Sequence, residues 1–323
     1  MTSPSVERAG LVFAALCALS SAFVPGMAKL STGQADPLAV AALTTHFAAA
    51  AAAVVLGARG ELTLLLRRDL APRLVLIGAL GTTLAFFLYF QGVRRTSAID
   101  AALCLQIEPV YAILVSWLVL GHRPTLRRVG AVAILLAGIF LAVRGGGFQD
   151  PLGVALLLAT PLCWQASHLV VLRGLPGVAP PVLTGARYLY GGLLLSAGWL
   201  ASGGAASLPK GDALARLLPV LAIQGVVLSY VGTLLWYQAI TRLDLARATA
   251  IVVPSVPVLS LAVTFVLVGE VPTAAQWVGM ALTVSGVLAF VTAPHAVEAS
   301  ERIPSQTAPL AVEADPATGG DQA

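Results

Sequence analysis

The chain contains few charged residues. Asp, Glu, Lys and Arg make up 11% of its 323 residues, whereas soluble domains carry about 25%. Hydrophobic residues make up 58%, and the mean hydropathy is +0.89. These values exclude an ordinary soluble domain, so most of the chain is expected to lie in a lipid bilayer. The net charge of +4 does not indicate nucleic-acid binding, because the basic residues stand singly or in pairs between apolar runs.

The chain also lacks the motifs of several functional classes. Its cysteines, Cys17, Cys104 and Cys163, lie within apolar runs, so no disulfide framework is expected. No HExxH, CxxC or acidic cluster predicts a metal site, and no cofactor is expected. The glycines at 145–147 are not followed by Lys-Ser/Thr, which disfavours ATP-driven transport by this chain. A membrane-embedded enzyme would need a Ser/His or paired-Asp constellation, and a sensor would need an output domain; the sequence shows neither.

Ten apolar runs are long enough to cross a membrane. We expect them to be helices, because a lipid-exposed sheet edge cannot satisfy its backbone groups in hydrocarbon. The run 126–143 begins with arginines that can reach the interface. The other runs are 10–28, 37–58, 74–93, 101–121, 151–172, 178–201, 217–241, 248–269 and 273–294.

The loops predict the orientation. With ten spans and the N-terminus inside, Lys and Arg are more numerous in the loops that face inward. This favours a multi-pass protein of the cell inner membrane with both termini cytoplasmic. The pair Arg94-Arg95, which then lies outside, is the main exception. The segment 295–323 is rich in Pro, Ala, Ser and acids, so we expect a disordered cytoplasmic tail.

The two halves of the chain resemble each other. The stretch LYFQGVRRTSAIDAALCLQIEPVYAILVSWLVLGHRPT (88–125) aligns with LWYQAITRLDLARATAIVVPSVPVLSLAVTFVLVGEVPT (235–273) with one inserted residue. We therefore predict that 8–143 and 150–293 are two copies of five spans each. Because five is odd, the second copy enters the membrane from the opposite side, which gives an inverted repeat typical of secondary transporters. The matches pair Gln91 with Gln238, Arg95 with Arg242, Pro109 with Pro257, Gly121 with Gly269, Thr125 with Thr273 and Gly138 with Gly286.

Ten spans in two copies, with LVGEVPTAAQWVGMALTVSGVLAFV (267–291) closing the second, resemble the EamA-type members of the drug/metabolite transporter superfamily. The resemblance covers about 8–293. It implies an all-α carrier that works by alternating access and moves a metabolite outward. The first copy departs from the pattern, because Gly121-His122 stands where the family has Gly-Glu and His46 matches Arg187. The residues that carry the resemblance are Gly269-Glu270, Pro257, Gly279, Gly286 and Arg187.

Arg187 is the strongest candidate for substrate binding. It lies well inside the run 178–201, and a cation near the bilayer midplane costs about 2.5–3.5 kcal/mol on insertion scales. A compensating partner is therefore expected. A substrate carboxylate would suit, since a guanidinium binds it in bidentate fashion. The alternative partner is Glu108, the only acid within a predicted span.

Glu108 precedes Pro109 in the fourth span. Proline removes one backbone hydrogen bond of the helix and clashes one turn back. A buried carboxylate favours its neutral form unless it is paired. Glu108 is thus a candidate for proton coupling, for pairing with Arg187, or for a merely structural pair.

Five further residues are candidates for substrate contact, because a small-molecule cavity needs a few polar groups in an apolar wall. The histidines could titrate near neutral pH, although a lone histidine in a helix is more often a hydrogen-bonded core residue. The aromatic and amide groups could equally pack between helices. These residues are His46, Gln165, His168, Tyr230 and Gln238.

The sequence therefore predicts an all-α polytopic membrane protein of ten transmembrane helices in two inverted five-helix repeats. Its predicted function is secondary transport of a small organic metabolite, an amino acid or another carboxylate-bearing solute, with a coupled proton and in the outward direction. Import of a solute, export of a cationic drug, and a membrane-embedded enzyme or sensor are the alternatives. The expected partners are the solute and the bilayer, without nucleic acid, and the protein is a monomer or a homodimer.

Overall fold

The computed structural model describes residues 4–118, 124–146, 150–243 and 245–293. Over these ranges the regular structure is entirely helical, as the hydropathy pattern predicts. The α-helices are α1 (Pro4–Gln34), α2 (Pro37–Ala58), α3 (Ala71–Gly78), α4 (Ala85–Arg95), α5 (Ala98–Cys104), α6 (Glu108–Leu118), α7 (Leu126–Gly145), α8 (Pro151–Gly174), α9 (Pro180–Ala201), α10 (Asp212–Ala222), α11 (Gly232–Arg242), α12 (Leu245–Val268) and α13 (Ala274–Thr292). The segment 295–323 and His122 lie outside the described residues.

Nine helical stretches in the described part are long and apolar enough to cross a membrane. The chain is therefore a multi-pass membrane protein. The remaining long helix, α9, has 22 residues but contains Arg187, which lowers its hydropathy. The stretches are α1, α2, α3 through α4, α5 into α6, α7, α8, α10 through α11, α12 and α13.

Helix starts follow local sequence signals. Asp36 and Asp150 cap α2 and α8, and each carboxylate accepts two backbone N–H groups of the first turn. A proline follows each aspartate at the first helical position, where its missing N–H would have no partner. Thr125 and Thr273, which the repeat alignment matches, cap α7 and α13, and each hydroxyl accepts one backbone N–H group of the first turn.

Two spans contain a π-helical segment in their middle. The first π segment, Ala79–Leu84, joins α3 to α4, and the second, Ile223–Val231, joins α10 to α11. They fall at corresponding positions of the two halves, because the alignment that matches Gln91 to Gln238 also matches 79–84 to 226–231. π segments are rare and often occur at functional sites.

The fourth predicted span is broken. The α-helix ends at Cys104, a 3₁₀ turn covers Leu105–Ile107, and α6 begins at Glu108. The break lies directly before Pro109, whose ring is incompatible with an α-helical carbonyl one turn back. Pro109 thus places Glu108 at the first turn of a new helix, where the helix dipole favours a carboxylate.

The last spans of the two halves, α7 and α13, cross at glycines. A methyl group added to Gly138 would lie 2.5 Å from the Thr283 backbone nitrogen, and one added to Gly286 would lie 2.6 Å from the Leu135 nitrogen. Small residues let two membrane helices approach closely. These glycines therefore stand where the backbones meet.

Contacts between the halves occur in matching pairs. α1 packs on α11 and α12, and α8 packs on α4 and α6. Likewise α2 packs on the second π segment, and α9 packs on the first. α2 and α9 also pack on each other. The first two spans of each half thus pack against spans of the other half.

Candidate functional site

The Arg187 side chain connects α9 to the first π segment. Its Nη2 donates to the Gly81 carbonyl oxygen at 2.7 Å, while its buried Nε has no hydrogen-bond partner among the described residues. No salt bridge to Arg187 occurs within the described part of the chain. The guanidinium is therefore fixed through one nitrogen and keeps donor capacity for another acceptor.

Gly81 allows three elements to meet around this guanidinium. A methyl group added to Gly81 would lie 2.6 Å from the Ser167 hydroxyl oxygen on α8 and 3.0 Å from Arg187 Nε on α9. Gly191 and Gly78 bring α9 equally close to this span, since a methyl group on Gly191 would lie 2.6 Å from Thr82 Cβ. The absence of side chains at these positions thus brings Arg187 against the first π segment.

Glu108 is paired with an amide. Gln165 Nε2 on α8 donates to Glu108 Oε1 at 2.9 Å. Glu108 is partly buried. Tyr111, one turn further along α6, donates its hydroxyl to the Leu158 carbonyl of α8 at 2.9 Å. These two contacts fix α6 against α8 and orient the carboxylate towards α8.

One face of α8 links Glu108 to Arg187. Gln165 and His168 are three residues apart and share a helix face. His168 is exposed, and its neighbour Ser167 lies with Arg187 at Gly81, where an added methyl group would be 2.6 Å from Ser167 Oγ and 3.0 Å from Arg187 Nε. The structure therefore brings together four predicted site residues: Glu108, Gln165, His168 and Arg187. We call these four the α8-face group.

The other predicted site residues have different neighbours. His46 is exposed; its Nδ1 lies 2.7 Å from the Ala42 carbonyl oxygen and its Nε2 lies 3.2 Å from Ser196 Oγ. Tyr230 is buried with its ring edge-on to Tyr188, at 6.5 Å between centroids. Its hydroxyl has no hydrogen-bond partner among the described residues. It is therefore a polar group in the interior near α9.

Gln238 lies near the end of α11. It is exposed, and its side-chain oxygen accepts a hydrogen bond from Arg242 Nη1. The structure does not bring it to the α8-face group. Its observed role is at the C-terminal turn of its own helix.

Sequence reasoning missed Gly81 and Ser167. Neither is unusual in sequence, and the π geometry that presents the Gly81 carbonyl to Arg187 has no sequence signature. Ser167 lies between the two predicted candidates Gln165 and His168, and its Oγ lies 3.4 Å from the Ile77 carbonyl oxygen. Its proximity to Arg187 follows only from the packing of α8 on the first π segment.

A second polar cluster lies at one end of the bundle. Glu270 accepts the backbone N–H groups of Ala98 and Ile99, at 3.1 and 3.2 Å, and so caps α5. Lys29 donates to the carbonyl oxygens of Val93, at 3.2 Å, and of Thr96. These side chains line a cavity of about 270 Å³. Glu270, from the Gly-Glu pair of the second copy, thus binds the start of α5, which belongs to the fourth span of the first copy.

The pair Arg94-Arg95 belongs to this end cluster. Arg94 Nη1 donates to the Thr32 carbonyl at 2.6 Å, and Arg95 forms a salt bridge with Asp150 at 3.2 Å. Both cations therefore have protein partners.

Comparison with known proteins gives related chains. The chain is 31% identical over 230 residues to the "Probable terminal-alkyne amino-acid exporter" of Streptantibioticus cattleyicolor, which covers 68% of this chain and 73% of that protein. It is 22% identical over 273 residues to the "Uncharacterized transporter YyaM" of Bacillus subtilis, covering 81% and 87% of the two chains.

A solved crystal structure shares the fold. It superposes with a TM-score of 0.63 at 22% identity and covers 89% of this chain and 96% of its own. The model of the EamA-like transporter family matches twice, over residues 8–144 and 151–292. These matches confirm the resemblance found in the sequence. The chain belongs to the EamA-like transporter family.

Proposed function

We propose that this chain is a secondary transporter that exports a small carboxylate-bearing solute, an amino acid or a close relative, across the cell inner membrane. The observation that carries the proposal is the state of Arg187. Its guanidinium, on α9, has one carbonyl partner and an unpartnered Nε, without an acidic partner among the described residues. A charge held in this way is expected to serve a ligand of opposite sign.

The chemistry of Arg187 suits a carboxylate. A guanidinium presents a planar set of donors that matches the two oxygens of a carboxylate. Glu108, the acid that could have used this capacity, is bonded to Gln165 instead. The relative named as an amino-acid exporter supports both the substrate class and the outward direction.

Glu108 is the proposed proton carrier. Its partner Gln165 can accommodate both protonation states, since the amide Nε2 donates to a carboxylate and the amide oxygen can accept from a carboxylic acid. Proton release would therefore need no new partner. His168 and Gln165 complete the proposed binding surface. His46, Tyr230 and Gln238 remain proposed contacts outside the α8-face group.

The proposed mechanism is alternating access by two inverted five-helix repeats, 8–143 and 150–293, with α9 as the tenth span. The matching contacts between halves and the two π segments at corresponding positions support this arrangement. In such carriers the solute site lies between the repeats near midplane. Glu108 from one half and Gln165, His168 and Arg187 from the other would form such a site.

Transport by the purified chain in proteoliposomes tests the substrate proposal. Exchange of a labelled amino acid should be competed by free amino acids but not by their methyl esters, because the ester lacks the charge that Arg187 binds. Arg187→Lys should reduce exchange at least about tenfold, since an ammonium cannot reproduce the bidentate fork. Arg216→Lys, at an exposed position of α10, is the matched control. Equal competition by ester and acid would refute the carboxylate proposal.

Glu108→Gln separates coupling from binding. If Glu108 carries the proton, the variant should retain exchange of solute while pH-driven net flux is lost. A parallel fall of both rates would assign Glu108 to structure, and unchanged net flux would remove it from the mechanism.

Single-cysteine labelling tests the topology. In a background without Cys17, Cys104 and Cys163, Thr63→Cys and Lys210→Cys should react from opposite sides of the membrane, Thr63→Cys from the cytoplasm. Both positions are exposed. Labelling of both from one side would contradict the inverted arrangement.

A further inference from the structure

A shallow groove lies between α3 and α8, away from the α8-face group. It has a volume of about 370 Å³ and is lined by Arg73, Leu76, Leu169, Val170, Arg173 and Gly174. We call it the α3/α8 groove. Arg73 stands in the first turn of α3 and Arg173 in the last turn of α8. Both arginines are therefore at helix ends, the depth at which a span meets the lipid headgroups.

Of the two arginines of this groove, Arg73 is available for a ligand. Arg73 is exposed and makes no hydrogen bond or ion pair with any described residue. Its aliphatic part lies over α8, because a methyl group added to Gly174 would lie 2.9 Å from Arg73 Cδ. The Arg73 guanidinium is thus carried next to Arg173, the neighbour of Gly174, and the two charges share one opening.

Two acids near Arg73 are paired with other arginines. Glu61 forms a salt bridge with Arg59 at 3.0 Å, and Asp69 forms one with Arg67 at 2.7 Å. The hydrogen bond from Arg67 holds the pKa of Asp69 below its usual value, so Asp69 is ionised and already paired at neutral pH. Neither acid neutralises Arg73, and an anionic group is the ligand complementary to its charge.

Below the arginines the groove is apolar. Leu76 is 43% exposed, and Leu169 and Val170 are partly exposed. A free inorganic anion would gain nothing from these walls. A molecule with a phosphate at one end and a hydrocarbon chain at the other would use both parts of the groove.

We propose that the α3/α8 groove binds an anionic phospholipid. The lipid phosphate lies between Arg73 and Arg173, and an acyl chain lies along Leu76, Leu169 and Val170. Two features connect this lipid to the α8-face group: α3 leads directly into the first π segment, and His168 adjoins Leu169 on α8. A bound lipid therefore supports the packing of α3 on α8 from the membrane side. The proposal does not depend on the identity of the transported solute.

Native mass spectrometry of the delipidated full-length protein tests the site. The probes are phosphatidylglycerol, phosphatidylcholine of the same acyl chains, and inorganic phosphate. Phosphatidylglycerol should bind more tightly than phosphatidylcholine, and Arg73→Gln should weaken it at least about fivefold, the share of one basic residue at an anionic lipid. Since Arg73 bonds to no described residue, this variant should fold. Arg73→Lys should retain part of the affinity, because a phosphate also accepts a point charge.

Arg127→Gln is the matched control. Arg127 is an exposed arginine in the first turn of α7 and is not part of the groove. Phosphatidylglycerol affinity should be unchanged in this variant. An equal loss in Arg127→Gln would reduce the effect to general surface charge and overturn the proposal. Equal binding of the two lipids, or full competition by millimolar phosphate, would also overturn it.

Discussion

The structure predicts that Arg187 and Glu108 contribute independently to stability. Arg187 is bonded to the Gly81 carbonyl at 2.7 Å, and Glu108 is bonded to Gln165 at 2.9 Å. The two residues therefore bond to different partners, although both belong to the α8-face group. A double-mutant cycle with Arg187→Ala and Glu108→Gln tests this separation.

The expected change in stability on Arg187→Ala depends on whether Arg187 is bonded to the Gly81 carbonyl or paired with Glu108. Arg187→Ala removes a charge-assisted hydrogen bond of about 1.5–3 kcal/mol. It also removes a partly buried cation whose position in a membrane span would cost about 2.5–3.5 kcal/mol. The net change should lie between about 0.5 kcal/mol of destabilisation and about 2 kcal/mol of stabilisation. If Arg187 were instead the partner of Glu108, breaking the buried pair would cost about 3–5 kcal/mol.

Unfolding in mixed detergent micelles, followed by circular dichroism, gives the four free energies of the cycle. We expect the effects of the two changes to add within about 0.5 kcal/mol. Arg187→Ala should fold normally and lose transport. A strongly destabilised Arg187→Ala that Glu108→Gln restores would show that Glu108 is the partner and would refute the assignment of Arg187 to the solute.

Two further predictions concern tertiary contacts of Gly81 and Glu270. Gly81→Ala should destabilise the protein by about 1–3 kcal/mol, as overpacking does, and should lower solute exchange. The reason is that the added methyl group would lie 2.6 Å from Ser167 Oγ and 3.0 Å from Arg187 Nε. Normal stability and transport in this variant would contradict the close approach. Glu270→Ala should cost about 0.5–2 kcal/mol, measured by thermal unfolding, because the first two N–H groups of α5 lose their acceptor while the Ser97 cap remains. Asp212→Ala in the first turn of α10, where no side-chain cap bond is described, should cost less, and equal losses would remove the special role of Glu270.

Much of the fold could be predicted from hydropathy and local signals. The run 37–58 coincides with α2, and the run 151–172 differs from α8 by two residues at its end. These spans are bounded by Asp-Pro caps, which the chain specifies locally. The first predicted run, 10–28, is shorter than the helix, since α1 spans Pro4–Gln34. The last turns of α1 are polar. The side chains of Lys29, Ser31 and Thr32 donate there to backbone carbonyl oxygens of another span or of α1 itself.

The candidate site could be predicted only in part. Arg187 and Glu108 were found because an ionisable residue in an apolar run is conspicuous. Their partners could not be found, because Gln165 reaches Glu108 across a separation of 57 residues, and Gly81 reaches Arg187 across 106. Such pairings depend on which helices pack together. Glu270 was recognised only through a resemblance, and its capping of α5 is a tertiary contact.

Each of the two π segments accommodates extra chain length within a span. A π turn holds roughly one residue more than an α turn, and one residue of an α-helix corresponds to a rotation of about 100°. The segment Ala79–Leu84 therefore takes up about one residue without turning α4 relative to α3. Deleting one residue from ALGTTL would restore regular α winding and leave Tyr89, Phe90 and Gln91 facing the same neighbours. The backbone around Gly81 would change instead, and with it the carbonyl that accepts from Arg187. The extra residue in this span thus serves the position of one carbonyl oxygen.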